Sequence, residues 1–295
     1  MKIEVVGLLS PGDMGHVVGQ VLGTHGMPVL TCLEGRSART RNLADQAGIG
    51  AVDSYPALVE ACDLILSILV PAEAATAARK VRRALEGAPK PLVYVDCNAI
   101  APATVRAIGD QFRDTPVRFV DAGIIGPPPR RPGATRFYTS GPDARDFATL
   151  GDYGLDVRVI GAEIGQASGL KMTYAALTKG TAALSIALLV AARRMGLDET
   201  LEAEFQLSQP ERLAAMQGDL LGVPPKAHRW IGEMEEIAQT FEDIGMTPKI
   251  HLGAADVYRF LSRSPLAAET PETRDKNRTL SQLIEALADQ AKSSG

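Results

Sequence analysis

The stretch Val5-Val6-Gly7-Leu8-Leu9-Ser10-Pro11-Gly12-Asp13-Met14-Gly15 decides how the first half of this chain reads. An apolar run ends in a turn rich in Gly and Pro, and helical spacing follows over Gly15–His25. Strand, tight turn and helix in that order form the setting in which a glycine-rich turn binds phosphate. The first amides of a helix have no intrahelical partner and carry the positive end of its dipole. Ser10, Pro11, Gly12, Asp13, Met14 and Gly15 are therefore expected to hold the pyrophosphate of a dinucleotide. Gly12 would let the backbone approach the phosphates, and Gly15 would let the helix pack on the strand. Ser10 stands where the strict G-x-G-x-x-G has its first glycine, so the turn alone also fits an ordinary βα connection.

Outward from this turn, short apolar runs alternate with helical stretches. Strands are expected at Lys2–Leu9, Pro28–Leu33, Leu64–Val70, Leu92–Asp96, Arg118–Ala122, Arg136–Ser140 and Val157–Val159. Helices are expected at Gly15–His25, Ser37–Gln46, Tyr55–Glu60, Glu73–Leu85 and Ala103–Phe112. That alternation implies βαβ units and a Rossmann-type, doubly wound, mostly parallel sheet, with the last two strands as a partly antiparallel edge. From Gln166 onward only helical patterns remain: Ser168–Met195, Asp198–Ser208, Pro210–Gln217, Lys226–Glu242, Thr247–Ser262 and Asn277–Lys292. The fold class is thus α/β, with a nucleotide-binding domain over 1–162 and an all-helical substrate and dimerisation domain over 163–295.

Composition narrows the class of function. The 295 residues are 45% hydrophobic and 22% charged, enough to bury a core. A net charge of −4 gives no drive toward nucleic acid or acidic membranes, and neither is expected as a partner. Cys32, Cys62 and Cys97 have no metal-like spacing and suit a reducing cytoplasm. The four histidines are scattered, so no metal is expected. The apolar Leu170–Ala192 is long enough to span a bilayer, but Lys171 and Lys179 lie inside it. Each would cost several kcal/mol at a bilayer centre, which favours a buried helix.

Other candidate residues follow from position in the sheet. In a doubly wound fold the end of the second strand faces the adenosine ribose. There Glu34 would favour NAD, whereas Arg36 and Ser37, backed by Arg39 and Arg41, would favour NADP. The balance tips to NADP(H), with NAD(H) possible. Leu69 and Val70 end the strand that should border the cofactor, and Asn98 ends the next. Asn98 could hold nicotinamide or a substrate carbonyl, or could equally be a cap or turn residue. Gly123, Ile124, Ile125 and Gly126, ahead of three prolines, read as a stiff loop able to clamp a substrate, or as a rigid connection.

At these residues the chain resembles the β-hydroxyacid dehydrogenase superfamily, which includes 3-hydroxyisobutyrate and 6-phosphogluconate dehydrogenases. The nucleotide turn matches at Ser10–Gly15, the D-x-S-T-x-x-P stretch at Asp96–Pro102 and the D-A-P-V-S-G-G loop at Asp121–Pro127. The G-x-G-x-x-x-K-x-x-N-N helix matches at Gly165–Ala175. The resemblance implies that Lys171 is the catalytic lysine. Tyr174 and Ala175 replace the paired asparagines, Ser168 replaces the histidine of 6-phosphogluconate dehydrogenase, and Thr178 its acid residue. The segment His228–Ala238 resembles a subgroup whose C-terminal domain is a phosphogluconate-dehydrogenase type of unassigned substrate.

These readings combine into one expectation. The protein would be an oxidoreductase interconverting a small hydroxy acid, or related alcohol, and its oxo form by hydride transfer. Lys171 would act as general acid and base, because an ammonium near the carbonyl oxygen stabilises the charge that builds there and delivers a proton. Tyr174, on the same helix face, could orient substrate or simply pack. Trp230, Met234, Ile237 and Phe241 share a helical stripe that could be core, dimer seam or pocket wall. Lys179 reads as a structural or interface charge, and Arg229 with Glu233 as an i, i+4 surface pair. A homodimer through the helical domain is expected. Two alternatives stay open: an imine reductase and a non-catalytic NADP-binding protein.

Overall fold

The computed structural model describes residues 1–86, 89–270 and 272–292. Its first half runs β1 (Val6–Leu8), α1 (Gly15–Thr24), β2 (Val29–Cys32), α2 (Ala38–Gln46), β3 (Gly50–Val52), α3 (Tyr55–Ala61) and β4 (Leu64–Ser67). It continues with α4 (Pro71–Glu86), β5 (Leu92–Asp96), α5 (Pro102–Asp110), β6 (Val117–Ile125), β7 (Arg136–Ser140), α6 (Ala144–Ala148) and β8 (Asp156–Gly161). Six more elements are helices: α7 (Gln166–Met195), α8 (Asp198–Ser208), α9 (Pro210–Asp219), α10 (Ala227–Asp243), α11 (Lys249–Ser262) and α12 (Leu280–Lys292).

The eight strands form one sheet in the order β3-β2-β1-β4-β5-β6-β7-β8. β3 through β6 are parallel; β7 runs antiparallel to β6, and β8 pairs parallel with β7. The chain thus has the α/β fold expected from its sequence, including the partly antiparallel edge. The order reverses between β1 and β4, and ligands of such sheets sit beyond the carboxyl ends of the strands at that reversal.

Side-chain alternation explains why this sheet is covered on both faces. Leu64, Leu66, Val93 and Val95 join a core with Val18 and Leu22 of α1 and Phe147 of α6. Ile65, Leu92 and Tyr94 point the other way, into a core with Leu58 of α3, Val81 of α4 and Val105 of α5. Tyr94 packs against Phe112 and Phe119 there, with centroids 4.9 and 5.8 Å apart.

Two differences from expectation matter. β3 was not foreseen: Gly-Ala-Val is short, it lies at the sheet edge, and its residues are mostly exposed, so it carries no apolar signature. β6 extends past Ala122 through Ile125, because Gly123, Ile124 and Ile125 pair with Tyr138, Phe137 and Arg136. Three residues read as loop are therefore strand, and only Gly126 onward forms the turn, with Gly126 at φ 124°.

By internal contacts the chain divides into two compact units, Met1–Met172 and Thr173–Gly295. The expected boundary at 162/163 falls just ahead of α7, and the contact division falls after the first two turns of that helix. In the second unit α10 and α11 pack together, Trp230 meets Tyr258 edge-on with centroids 5.3 Å apart, and Phe241 lies 4.3 Å from the His251 ring. Among the described residues α7 alone is long and apolar enough to cross a membrane. It nevertheless buries Lys179, paired to Glu233.

Candidate active site

The glycine turn sits between β1 and α1 as the sequence requires. A Cβ on Gly15 would collide with the Ser10 carbonyl oxygen, so only glycine allows the helix to start this close to the strand. Where Gly12 would carry a Cβ, the nearest atom is Ser10 Oγ at 3.8 Å, which leaves the backbone open to a ligand. Pro11 is buried, while Ser10, Asp13 and Met14 are half-buried around this opening. His16 Nδ1 bonds to the Gly12 carbonyl at 2.6 Å, and Arg130 reaches back from the proline-rich turn to His16 Nε2 at 3.2 Å. These residues fit a dinucleotide: a cradle without side chains, at a helix N-terminus, with an arginine beside it.

At the end of β2 the structure gathers the polar groups expected around the ribose. Arg36 donates to the Leu9 carbonyl at 2.8 Å, which brings its guanidinium over the end of β1. Ser37 caps α2 by accepting from the Thr40 amide at 3.2 Å, and the two hydroxyls lie 3.1 Å apart. Arg41 donates to the Arg36 carbonyl at 3.2 Å. Arg39 instead pairs with Asp13 at 2.7 Å and ties α2 to the glycine turn. Arg36, Ser37 and Arg41 thus share the start of α2, a setting that suits a phosphate.

At the ends of β4 and β5 lies a tight polar cluster. Asn98 is 2% exposed. Its Oδ1 accepts from the Leu69 amide at 2.6 Å, and its Nδ2 donates to Ser67 Oγ at 2.9 Å and Asp96 Oδ1 at 2.8 Å. The amide expected to meet nicotinamide or substrate is spent holding these two strand ends together. Leu69 is half-buried and Val70 exposed beside it. Burial pushes the Asp96 carboxyl up to about 7; the bonds from Asn98 oppose the shift and the nearby Asp121 adds to it. Burial, with Asp96 and Asp121 close by, also drives the Cys97 thiol well above its usual range, which suits a packing residue and not a nucleophile.

β6 and the start of α7 build the remainder. Lys171 is half-buried and donates from Nζ to the Ile124 carbonyl at 2.6 Å. Gly123 lets strand and helix approach closely: a Cβ there would stand 2.8 Å from the Ala167 carbonyl oxygen and 2.9 Å from Lys171 Cβ. Gly123 therefore serves helix packing. Ile124 and Ile125 are buried, and Gly126 is exposed. Parallel pairing from β1 to β6 sets the glycine turn, Leu69, Asn98 and the Lys171 ammonium along the carboxyl ends of the strands.

The other expected site residues lie in the second unit. Tyr174, one turn beyond Lys171 on α7, is 49% exposed. Trp230 is half-buried against Tyr258, with Lys179 and Lys226 over its ring at 5.4 and 5.8 Å. Met234 is fully buried, which makes it a core residue and not a pocket wall. Glu233 pairs with Lys179 of α7, a partner that i, i+4 spacing could not suggest. Sequence reasoning placed Asp121 and Ser168 in two separate motifs and did not anticipate that, with Ser140, they bind one another in the first unit.

Comparison with known proteins agrees with this geometry. Residues 2–150 match the family described as the NAD binding domain of 6-phosphogluconate dehydrogenase. The chain belongs to that family. Residues 192–261 match a domain of unknown function, DUF1932. An uncharacterised 28.5 kDa protein of Methanothermus fervidus is 31% identical over 67% of this chain and 74% of its own. A conserved protein of unknown function, described as structurally similar to 3-hydroxyacid dehydrogenases, is 31% identical, with TM-score 0.64 over 87% of this chain and 97% of that one. Two more distant structures share the fold. Mycobacterium tuberculosis 3-hydroxyisobutyrate dehydrogenase with L-serine is 16% identical, with TM-score 0.63 over 88% and 93% of the two chains. An imine reductase from Myxococcus stipitatus with NADP+ is 18% identical, with TM-score 0.55 over 87% and 92%. The chain thus has a hydroxyacid-dehydrogenase-like fold with a nicotinamide-dinucleotide domain.

Proposed function

We propose that this protein is an NADP-preferring dehydrogenase that interconverts a small hydroxy acid, or related alcohol, and its oxo form, with Lys171 as general acid and base. The observation that carries the reading is the Lys171 ammonium, held 2.6 Å from the Ile124 carbonyl at the carboxyl ends of the strands, where the glycine turn lies. When bound, reduced nicotinamide would supply hydride to the substrate's carbonyl carbon. Lys171 would then donate to the carbonyl oxygen and pass it a proton; in the oxidative direction it would take the alcohol proton. The exposed backbone at Gly126, beside Ile125, would border the substrate. Asn98 would act indirectly, by fixing the strand ends that wall the site.

The preference for NADP rests on Arg36, Ser37 and Arg41 at the start of α2. An arginine–phosphate bond contributes about 1.5–3 kcal/mol. Arg36→Ala is therefore expected to raise KM for NADPH at least about tenfold while KM for NADH stays within about twofold. An equal change for both cofactors would remove the preference.

A second copy of the chain is the proposed partner. Tyr174, Leu177, Thr181, Leu184 and Met195 repeat along α7 at spacings of three, four, three and eleven residues, all on one exposed face. Light scattering should report a dimer for the wild type and a monomer for Leu184→Asp. The protein is assigned to the cytoplasm, where its three buried free cysteines would stay reduced.

The deciding experiment is NADPH oxidation against small oxo acids, aldehydes, ketones and cyclic imines, with wild type and Lys171→Ala side by side. Carbonyl turnover that collapses in the variant supports the proposal. Imine turnover that survives it would make the protein an imine reductase and Lys171 a structural residue.

A further inference from the structure

Asp121 lies on β6, wholly buried, three residues before the carbonyl that holds Lys171. Its Oδ2 accepts from Ser140 Oγ at 3.0 Å, the Gly165 amide at 2.8 Å and the Ser168 amide at 3.1 Å. Its Oδ1 accepts from Ser168 Oγ at 2.6 Å. Ser140 Oγ in turn accepts from the Ala167 amide at 3.0 Å. Three amides at the start of α7, which a helix cannot satisfy itself, are thus taken by side chains of β6 and β7. Such caps come as a rule from the residue just before the helix; here they come from two strands, Asp121 lying 44 and 47 residues and Ser140 27 residues before the amides they take. Its carboxylate also faces the positive end of the helix dipole.

The geometry couples this cap to the lysine. Ser168 and Lys171 are three residues apart on one helix face, and Asp121 and Ile124 are three apart on one strand. Asp121 holds Ser168 and the Ile124 carbonyl meets Lys171, and between them Gly123 leaves no room for a Cβ, which would stand 2.9 Å from Lys171 Cβ. Lysine has four rotatable bonds, so the base from which it extends determines where its ammonium stands. We propose that Asp121, acting through Ser168, is the positioning residue that sets the Lys171 ammonium against the reacting oxygen. This rests on the acid–base reading of Lys171.

A double-mutant cycle tests it by single-turnover NADPH oxidation with the best substrate of the panel. Ser168→Ala removes the 2.6 Å bond and leaves the two amide bonds to Asp121 in place. It should lower the rate about tenfold while the Kd for NADPH stays within about twofold, since small displacements of a reacting group are costly. Asp121→Asn should do the same or more. In the Lys171→Ala background the Ser168→Ala effect should vanish, because a residue acting through the lysine has nothing left to position. If Ser168→Ala slows the Lys171→Ala enzyme by the same factor, or leaves the wild type untouched, the positioning role is overturned while the lysine's role stands. If Lys171→Ala itself keeps full turnover, both fall.

A second measurement needs no substrate. Trace labelling with acetic anhydride, read by mass spectrometry, should show the Lys171 rate changed at least about threefold in Ser168→Ala relative to the exposed Lys2. An unchanged Lys171 rate would overturn the inference by itself.

Discussion

Lys171 and Lys179 sit eight residues apart on one helix and are treated in opposite ways. Lys171 belongs to the first unit, is half-buried, and donates to a backbone carbonyl. Lys179 belongs to the second, is 8% exposed, pairs with Glu233 and lies over the Trp230 ring, while Tyr258 donates to its carbonyl at 2.7 Å. An ammonium that donates to a backbone carbonyl can exchange that oxygen for a substrate's. One matched to a half-buried carboxylate is committed, because removing either partner strands a charge. Both lysines lie on one apolar helix; the elements facing them set them apart.

The contrast can be broken most directly by truncating each lysine's partnership. Lys171→Ala is expected to lower turnover about a thousandfold while the denaturation midpoint stays near wild type. Turnover within a few-fold of wild type would erase the distinction. Glu233→Ala should do the reverse: it leaves Lys179 buried without its carboxylate, at a cost of about 3–5 kcal/mol in denaturant unfolding. Unchanged unfolding would mean that the second lysine is no more committed than the first.

A smaller change sharpens the comparison. Gly123→Ala places a methyl 2.9 Å from Lys171 Cβ and pushes helix from strand. Turnover should fall about tenfold while NADPH binding, measured by fluorescence titration, is retained. The smallest effect concerns the first unit alone. Burial holds the Asp96 carboxyl at about 7 in the folded protein, against about 4 in an unfolded chain. The folded state therefore binds the extra proton, so the contribution of Asp96 to stability is greatest in acid and declines as pH rises from about 4 through about 7. Asp96→Asn should flatten that decline, seen as a smaller difference in melting temperature between acid and neutral buffers. An unchanged slope would place the titration elsewhere.

How much of this was legible in the sequence depends on the reach of each interaction. The sheet, its parallel order and the helical second half follow from short-range periodicity, and the glycine turn follows from strand–turn–helix order. Lys171 stood out because its motif is local. Asp121 did not, because the amides it caps lie 44 and 47 residues away. Gly123–Ile125 looked like loop because glycine and three prolines crowd that stretch, whereas pairing with β7 makes it strand. Met234 shows the limit of helical spacing: the same stripe describes a core and a pocket wall, and burial assigns it to the core. Glu233 also shows the limit of local spacing, because its pairing with Lys179 spans 54 residues.

The division after Met172 bears on how such proteins can diversify. Because the first two turns of α7 are fastened to β6 and β7, a crossover just beyond them would carry the lysine along with the nucleotide half and leave the rest of the helix free to be exchanged. Descendants could then keep Lys171 with the nucleotide half unchanged while acquiring a different helical half.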